Sequence, residues 1–332
     1  MRSIPSALPL LSLALLSTAI TAQQARLVVA EKGQQSLAII DPVAGKVLAS
    51  VPEGGITGHE VIASADGRLA YVPIYGNSGV GKPGTDGNSM AVIDLAQQKV
   101  IDTVQFPHPV RPHCPFFGPK DGLLYVSTEL DQSITQIDPK TLKIVGALPT
   151  GQRESHMFAL SHDGRRAYTA NVGPGTVSVI DIQARKVLKI IPISANTQRI
   201  AISPDDRWVF TADQTKPQLA VIDTKAEDVR RWIQLEGIAY GTAPSPNGRW
   251  LLVTLPDQNK IAVVDLKTMQ VVRSVKVGQY PQEIVFRPDS AVAYVSCEKS
   301  NQVAEINLEN WTLTRLIATG KATDGLAWAA GK

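Results

Sequence analysis

One short pattern recurs seven times along this chain. An apolar run ends in an acidic or amide residue, and these residues are separated by 53, 44, 43, 42, 42 and 42 positions. They are Asp41, Asp94, Asp138, Asp181, Asp223, Asp265 and Asn307. A second series of turn residues keeps the same period, at Asp66, Asp121, Asp163, Asp205, Asn247 and Asp289. A period in the low forties is typical of repeated units that must stack on their neighbours to bury their apolar faces.

Each repeat contains four short apolar segments with a turn between each pair. In residues 155–191 the segments are rich in alternating and β-branched apolar residues, and none has the long apolar period of an amphipathic helix. Four strands joined by tight turns form one antiparallel unit, and seven such units arranged radially form a propeller. The sequence therefore predicts an all-β, seven-bladed β-propeller of four-stranded blades.

The two ends of the chain predict how the ring is closed. The last segment, residues 323–328, matches only the first strand of a blade, whereas the N-terminal repeat begins at the second strand with residues 26–30. Together the termini complete one blade, which removes the open sheet edge that would otherwise invite aggregation. We expect one domain over residues 23–332, closed by this shared blade.

The repeats resemble the YVTN-repeat, YncE-like β-propellers. The resemblance rests on Ala70-Tyr71-Val72, Leu124-Tyr125-Val126-Ser127, Ala167-Tyr168-Thr169-Ala170-Asn171 and Ala293-Tyr294-Val295-Ser296, each followed by a strand that ends in a Val-Ile-Asp-like pattern. It covers nearly all of the chain after residue 22. The resemblance implies the propeller fold and leaves the activity open, because this group includes lactonases, lyases, haem-binding domains and periplasmic proteins without a known role.

Residues 1–22 predict export from the cytoplasm. Arg2 precedes a short apolar run from Ala7 to Leu16, and small residues lead to a plausible cleavage site after Ala22. The run is too short to span a bilayer, so we expect a signal peptide, no transmembrane segment and a periplasmic or secreted protein. The net charge of +3 and the aromatic content of 5% argue against nucleic acid as a partner. Cys114 and Cys297 fall in well-separated blades, so we expect no disulfide between them.

Three of the five histidines occupy the same position in three consecutive repeats. When the first strands are aligned on their turns, this position holds His59, His113, His156, Gln198, Tyr240, Gln282 and Asp324. The first strand of each blade lines the central channel, so these side chains are expected to converge at one mouth. Three neutral imidazoles with room for a water are typical of a catalytic metal site, and we expect Zn, Cu, Fe or Mn. Histidines that only hydrogen-bond around a water-filled channel are the structural alternative.

Other polar residues near this mouth are candidates for substrate contact and catalysis. Arg111, Arg153, Gln198 and Gln282 are the predicted substrate-binding residues, and Asp324 and Tyr240 are the candidate general base and proton donor. Neighbouring residues on a strand point to opposite sides. For that reason Glu60 and Arg199 are expected to form ion pairs between blades, outside the channel.

The second repeat carries about ten extra residues within residues 75–88. They fall between its second and third strands, a connection that leaves on the same face as the histidines, so the insert is expected to cover them as a lid. A surface loop without a role is the alternative. The insert also has the Gly-x-x-x-x-Gly-Lys spacing of a phosphate-binding loop, but Pro83 replaces the magnesium-binding hydroxyl residue and no helix follows. We therefore expect no nucleotide.

These features favour a metal-dependent hydrolase or lyase over an oxidoreductase, without establishing that the protein is an enzyme. The substrate would be a small organic molecule, anionic or cyclic, with hydrolysis or elimination as in lactonases and lyases. The sequence contains no Cys-x-x-Cys-His motif for covalent haem attachment and no nucleophile elbow. Calcium lactonases use oxygen ligands, so three histidines depart from that pattern. The alternative is a non-catalytic propeller that binds a ligand, or a protein partner on the lidded face.

Overall fold

The computed structural model describes residues 24–331, so the signal peptide predicted over residues 1–22 lies outside the described residues. The described chain forms 28 strands in seven four-stranded antiparallel sheets. Two 3-10 turns, Pro256–Gln258 and Glu298–Ser300, are the helical elements among residues 24–331. This arrangement is the predicted seven-bladed β-propeller.

The strands of each blade are given from the channel outwards. Blade 1 consists of β28 (Thr323–Ala329), β1 (Arg26–Glu31), β2 (Ser36–Asp41) and β3 (Lys46–Pro52). Blade 2 consists of β4 (Ile62–Ala63), β5 (Leu69–Gly76), β6 (Asp86–Asp94) and β7 (Lys99–Gln105). Blade 3 consists of β8 (Pro112–Phe117), β9 (Leu124–Thr128), β10 (Ser133–Asp138) and β11 (Lys143–Pro149).

The other four blades follow the same order. Blade 4 consists of β12 (Ser155–Leu160), β13 (Arg166–Asn171), β14 (Thr176–Asp181) and β15 (Lys186–Pro192). Blade 5 consists of β16 (Thr197–Ile202), β17 (Trp208–Asp213), β18 (Gln218–Asp223) and β19 (Asp228–Gln234). Blade 6 consists of β20 (Thr242–Pro244), β21 (Trp250–Leu255), β22 (Lys260–Asp265) and β23 (Gln270–Lys276). Blade 7 consists of β24 (Pro281–Phe286), β25 (Val292–Cys297), β26 (Gln302–Asn307) and β27 (Thr312–Ala318).

The ring closes through blade 1, as predicted. β28 pairs antiparallel with β1, and Trp328 lies opposite Leu27 while Ala327 lies opposite Val28. β28 also contacts β24 of blade 7 and β4 of blade 2. The last strand of the chain is therefore held on both sides, and the N-terminal strand has no free edge toward the channel.

The recurring acidic and amide residues form hydrogen-bonded turns. Asp41 Oδ1 accepts hydrogen bonds from the backbone N–H groups of Val43 and Ala44, at 2.8 and 3.0 Å. Asp94, Asp223, Asp265 and Asn307 make the same pair of bonds two and three residues ahead. The side chain thus satisfies the backbone where the third strand turns into the fourth, which explains why only Asp or Asn recurs there.

The core lies between blades. The second and third strands are buried almost throughout, whereas the outermost strands alternate between exposed and partly buried positions. The tyrosines of the repeat motif, Tyr71, Tyr125, Tyr168 and Tyr294, are at most 2% exposed. Burial of a large side chain contributes roughly 1.5–3 kcal/mol, so these positions hold adjacent blades together.

The innermost strand of each blade starts near one channel mouth, and its backbone is irregular there. A left-handed residue precedes the aligned position by two residues in five blades: Thr57, Arg111, Glu154, Tyr280 and Ala322. Register shifts also occur between Ser155 and Met157, Thr197 and Ile200, and Pro281 and Ile284. A bulge leaves extra residues unpaired and re-aims their side chains. At this level of the channel, successive side chains of an inner strand therefore need not point to opposite sides of the sheet.

Cys114 and Cys297 are both free and buried. Among residues 24–331, the chain has no helix with the length and apolar character needed to cross a bilayer.

Candidate functional site

The aligned position of the inner strands forms one cluster at a channel mouth, which we call the histidine mouth. The ring centroids of His113 and His156 are 3.7 Å apart, and those of His59 and His113 are 5.5 Å apart. His113 and His156 are buried, whereas His59 is partly exposed. The structure thus brings together the three histidines that the sequence aligned.

Tyr75 packs against all three imidazoles. Its ring centroid lies 4.9, 5.1 and 5.4 Å from those of His59, His113 and His156. Tyr75 lies near the end of β5, where the insert of blade 2 begins, and Gly76 pairs with Asp86 across the insert. The insert therefore reaches the histidine mouth, on the face where the sequence placed it.

A buried carboxylate links this cluster. Glu129 accepts hydrogen bonds from the Tyr75 hydroxyl at 2.7 Å, from His156 Nδ1 at 3.0 Å and from Arg111 Nη1 at 3.2 Å. Burial raises the pKa of Glu129, but the hydrogen bond and charge of His156, with Tyr75 and Arg111, hold it below its ordinary value. Because the ionised Glu129 can only accept, Nδ1 of His156 is the donor in this hydrogen bond.

The imidazoles of His59 and His113 are neutral. Desolvation lowers the pKa of His59 to about 3, and burial together with the neighbouring His156 lowers that of His113 well below its ordinary value. Nδ1 of His113 is buried without a hydrogen-bond partner among residues 24–331. Neutral rings with unused nitrogens are suited to ligate a metal.

The three rings nevertheless do not form a ready metal-ion centre. The rings of His113 and His156 are in contact at an interplanar angle of 33°. Within the described part of the chain, no group of three or more His, Cys, Asp and Glu side chains is arranged to hold a metal ion. A bound Zn, Cu, Fe or Mn ion therefore stays a prediction.

One layer below the histidines, an ion-pair cluster crosses the channel. Arg199 Nη1 lies 2.6 Å from Glu60 and 2.5 Å from Glu283, and Nη2 lies 3.3 Å from Asp324. These residues come from blades 5, 2, 7 and 1, so the predicted ion pairing of Glu60 and Arg199 between blades is confirmed. Their predicted position outside the channel is wrong, because both line its central cavity. The bulged starts of the inner strands explain the difference, because residues 198 and 199 both lie in the unpaired stretch of β16.

The predicted catalytic pair, Asp324 and Tyr240, lies around this cluster. Asp324 is buried and pairs with Lys32 Nζ at 3.1 Å as well as with Arg199. Burial raises its pKa, but Lys32 and Arg199 hold the pKa of Asp324 below its ordinary value. The guanidinium of Arg199 lies 4.8 Å from the ring centroid of Tyr240. Asp324 is thus an ionised, doubly paired carboxylate, which opposes its predicted use as a free general base.

Of the predicted substrate-binding residues, only Arg153 has a largely exposed side chain. Its side chain is 67% exposed and pairs with Glu154 at 2.6 Å. Gln198 donates to the Tyr240 hydroxyl at 3.2 Å, and Gln282 is buried.

Arg111 instead anchors the insert. Its side chain is 6% exposed, and it donates to the Asp86 carboxylate at 2.6 Å and to the Lys82 carbonyl at 2.6 Å. Arg111 therefore binds the insert, where we expected a substrate contact.

Sequence reasoning missed Lys32 and Glu129. Both follow the second strand of their blade, Lys32 after β1 and Glu129 after β9, and this connection lies on the same face as the histidines. Lys32 pairs with Asp324 and Glu298, both at 3.1 Å. Burial lowers its pKa, yet the two carboxylates raise the pKa of Lys32 above its ordinary value. The connection between the second and third strands of each blade leaves on the histidine face. A search of this connection in every blade would have identified both residues.

Comparisons with solved structures show the same fold at low sequence identity. Hydrazine synthase of Kuenenia stuttgartiensis is 19% identical, with a TM-score of 0.68 over 82% of this chain and 89% of that chain. Periplasmic gluconolactonase PpgL of Pseudomonas aeruginosa is 18% identical, with a TM-score of 0.70 over 92% and 99%. Dihydro-heme d1 dehydrogenase NirN, in complex with DHE, is 15% identical, with a TM-score of 0.66 over 91% and 74%.

The sequence also matches a family model. No curated protein sequence matches the chain significantly. The model of the cytochrome D1 heme domain, however, matches residues 118–324, which is more than half of the chain and includes blades 4 to 7 completely and three of the four strands of blade 3. The YVTN-repeat resemblance predicted the propeller correctly, and its narrower YncE-like assignment stays a prediction. The chain belongs to the cytochrome D1 heme domain family.

Proposed function

We propose that the histidine mouth binds a haem-type tetrapyrrole and that His59 would ligate its iron. The observation that carries this proposal is that the imidazole of His59 is partly exposed and has no hydrogen-bond partner among the described residues. It is the partly exposed member of the histidine cluster, and neither ring nitrogen hydrogen-bonds to another residue within 24–331. Its neutral imidazole offers a lone pair at the mouth of a propeller whose family is named for a haem domain.

The rim supplies charge for the acidic side groups that haems carry. A cavity of about 410 Å³ lies beside the insert and is bordered by Lys82, Arg111 and Arg153. Lys82 and Arg153 are exposed, and Arg153 already pairs with Glu154, so the ammonium of Lys82 is the better placed of the two to meet a carboxylate at this rim.

The other residues of the mouth have supporting roles in this proposal. A bound haem supplies redox chemistry and an iron site for small ligands. Glu129 accepts a hydrogen bond from Nδ1 of His156 and so fixes the orientation of this ring at the mouth. Tyr75 covers the three rings and limits the access of water.

Haem titration followed by absorption spectroscopy tests this proposal. Ferric protoporphyrin IX is added to the protein and to two single variants, His59→Ala and His162→Ala. His162 is a matched control, because it is exposed on the opposite face and pairs with Asp206. We expect saturable binding with a shifted Soret band in the wild type and in His162→Ala, and at least tenfold weaker binding in His59→Ala. Equal binding by both variants would contradict the assignment.

A second function is favoured by the Glu129–His156 pair. A carboxylate that orients a histidine is the arrangement of a general base, which suits hydrolysis of, or elimination from, a small cyclic substrate. In this second proposal a metal ion at the three histidines would add Lewis-acid chemistry. The gluconolactonase among the structural neighbours makes δ-gluconolactone a suitable first probe.

Base consumption at constant pH measures hydrolysis of this lactone. His156→Ala should abolish the enzymatic rate, and His108→Ala should leave it unchanged because His108 is exposed and pairs with Asp131. A wild-type rate equal to that of buffer would exclude lactonase activity toward this probe.

For location, we propose a secreted or periplasmic protein. The proposal is supported by the signal-like pattern of residues 1–22 and by the periplasmic gluconolactonase among the proteins of the same fold. Fractionation of cells that express the full chain, with N-terminal sequencing of the exported product, tests both the location and the cleavage after Ala22.

A further inference from the structure

A second cavity, which we call the axial cavity, lies in the channel below the ion-pair cluster. Its volume is about 570 Å³. Its lining extends to Phe116, Pro119 and His162, which are exposed near the turns that follow the inner strands. The axial cavity therefore opens at the face opposite the histidine mouth, and no function proposed above uses it.

The wall of the axial cavity is mostly apolar. All seven inner strands contribute to it, and its apolar residues include Val61, Met157, Ile200, Ile284, Leu326 and Trp328. Phe116 is 40% exposed at its rim. A concave site of this volume with few polar groups is typical of small-molecule binding.

The polar groups are concentrated at the inner end. Glu60, Arg199 and Glu283 line the cavity there, and the side chain of Glu283 is 18% exposed. Nε of Arg199 is buried and has no hydrogen-bond partner within the described residues. Arg199 is thus bound on its Nη side by carboxylates, and Glu283 retains accessible surface.

Carboxyl groups outnumber cations around this end. Two cations, Arg199 and Lys32, face Glu60, Glu283, Asp324 and Glu298. Burial raises the pKa of Glu60 and of Glu283, so these two carboxyl groups hold a proton that an incoming cation can replace.

We propose that the axial cavity binds an apolar organic cation. Its ammonium group lies beside Glu283 and Glu60, and its hydrocarbon body lies against the apolar wall. Charge complementarity selects the cation over an anion of the same shape, and the wall selects an alkyl or aryl amine over a small hydrophilic one.

Isothermal titration calorimetry with three eight-carbon probes tests this proposal. Octylammonium, 1-octanol and octanoate are titrated at low ionic strength and below the concentration at which they form micelles. We expect octylammonium to bind with one site and at least ten times more tightly than the alcohol, and octanoate to bind more weakly still. Absence of octylammonium binding, or equal affinity for all three probes, would overturn the proposal.

Variants locate the binding site. Glu283→Gln removes the accessible carboxylate and should weaken octylammonium binding at least tenfold. Glu236→Gln is the matched control, because Glu236 is an exposed carboxylate that pairs with Lys260 outside the cavity. Ala201→Phe places a ring in the wall of the cavity and keeps every charge, so it should weaken binding even if Glu283→Gln fails to fold. Unchanged affinity in Ala201→Phe would contradict binding in this cavity.

Discussion

Nδ1 of His156 donates a hydrogen bond to the carboxylate of Glu129 across 3.0 Å, and both side chains are at most 3% exposed. The same carboxylate accepts from Tyr75 at the start of the insert and from Arg111, which binds the insert. One buried carboxylate therefore connects the histidine mouth to the insert. A change at Glu129 should alter both the imidazole of His156 and the position of the insert.

Replacement of Glu129 should be costly. Glu129→Gln removes the charge that faces Arg111 and the acceptor that fixes His156, which should lower the free energy of unfolding by about 2–4 kcal/mol. Urea denaturation followed by circular dichroism measures the loss. Asp131→Asn is the control, because Asp131 pairs with His108 at an exposed position and should change stability by less than about 1 kcal/mol. Equal effects of the two substitutions would contradict the role of Glu129.

Replacement of Arg199 should destabilise the ring from its centre. Arg199→Leu leaves Glu60 and Glu283 buried without their cation, and removal of one partner of a buried pair typically costs about 3–5 kcal/mol. Arg68→Leu is the matched control, because Arg68 is 59% exposed and its pair with Asp94 should contribute less than about 1 kcal/mol. A stability of Arg199→Leu within about 1 kcal/mol of the wild type would show that the cluster does not hold the blades together.

Glu53 should make stability depend on pH. It is buried, and burial raises its pKa from 4.5 to about 7, while one oxygen accepts from the Gly58 N–H. The folded state therefore holds this proton more tightly than the unfolded state. Its contribution is present below pH 4.5 and is lost as the pH rises through 7.

Glu53→Gln should remove this dependence. The variant should be more stable than the wild type at pH 8, by an amount on the order of 2–3 kcal/mol, and similar to it at pH 4. Thermal unfolding across this pH range provides the comparison. A wild-type advantage that grows with pH would mean that the carboxylate is stabilised in its charged form.

The two cysteines should be unreactive in the folded protein. Cys114 and Cys297 are at most 1% exposed, and burial raises the pKa of the Cys297 thiol to about 12 and that of Cys114 well above its usual value. A thiol reagent should label neither residue in the native state and both in denaturant. Rapid labelling without denaturant would show that the core between blades opens readily.

The fold was predictable because the turns repeat the same chemistry. Asp41 and its equivalents accept backbone hydrogen bonds at every return of the chain, so their spacing reports the blades directly. The shared blade was predictable because the N-terminal repeat lacks a first strand and the C-terminal segment supplies only a first strand. The structure pairs these segments as β1 and β28.

The site was only partly predictable, because alignment finds equivalent positions but not long-range partners. It brought His59, His113 and His156 together correctly. It could not show that the rings of His113 and His156 are in contact, that Glu129 binds Tyr75, or that Arg199 reaches Glu60 across the ring, 139 positions away in sequence. The prediction that neighbouring side chains of an inner strand point to opposite sides failed where a bulge interrupts the regular strand pairing.

The central claim is that His59 ligates the iron of a bound haem, and nitrogen hyperfine coupling tests it most directly. The protein is labelled with ¹⁵N-histidine and loaded with ferric protoporphyrin IX, and its pulsed electron paramagnetic resonance spectrum is compared with that of unlabelled protein. We expect a histidine-dependent nitrogen coupling in the wild type and in His162→Ala, and its loss in His59→Ala. A coupling that persists in His59→Ala, or that is absent from the wild type, would contradict the account.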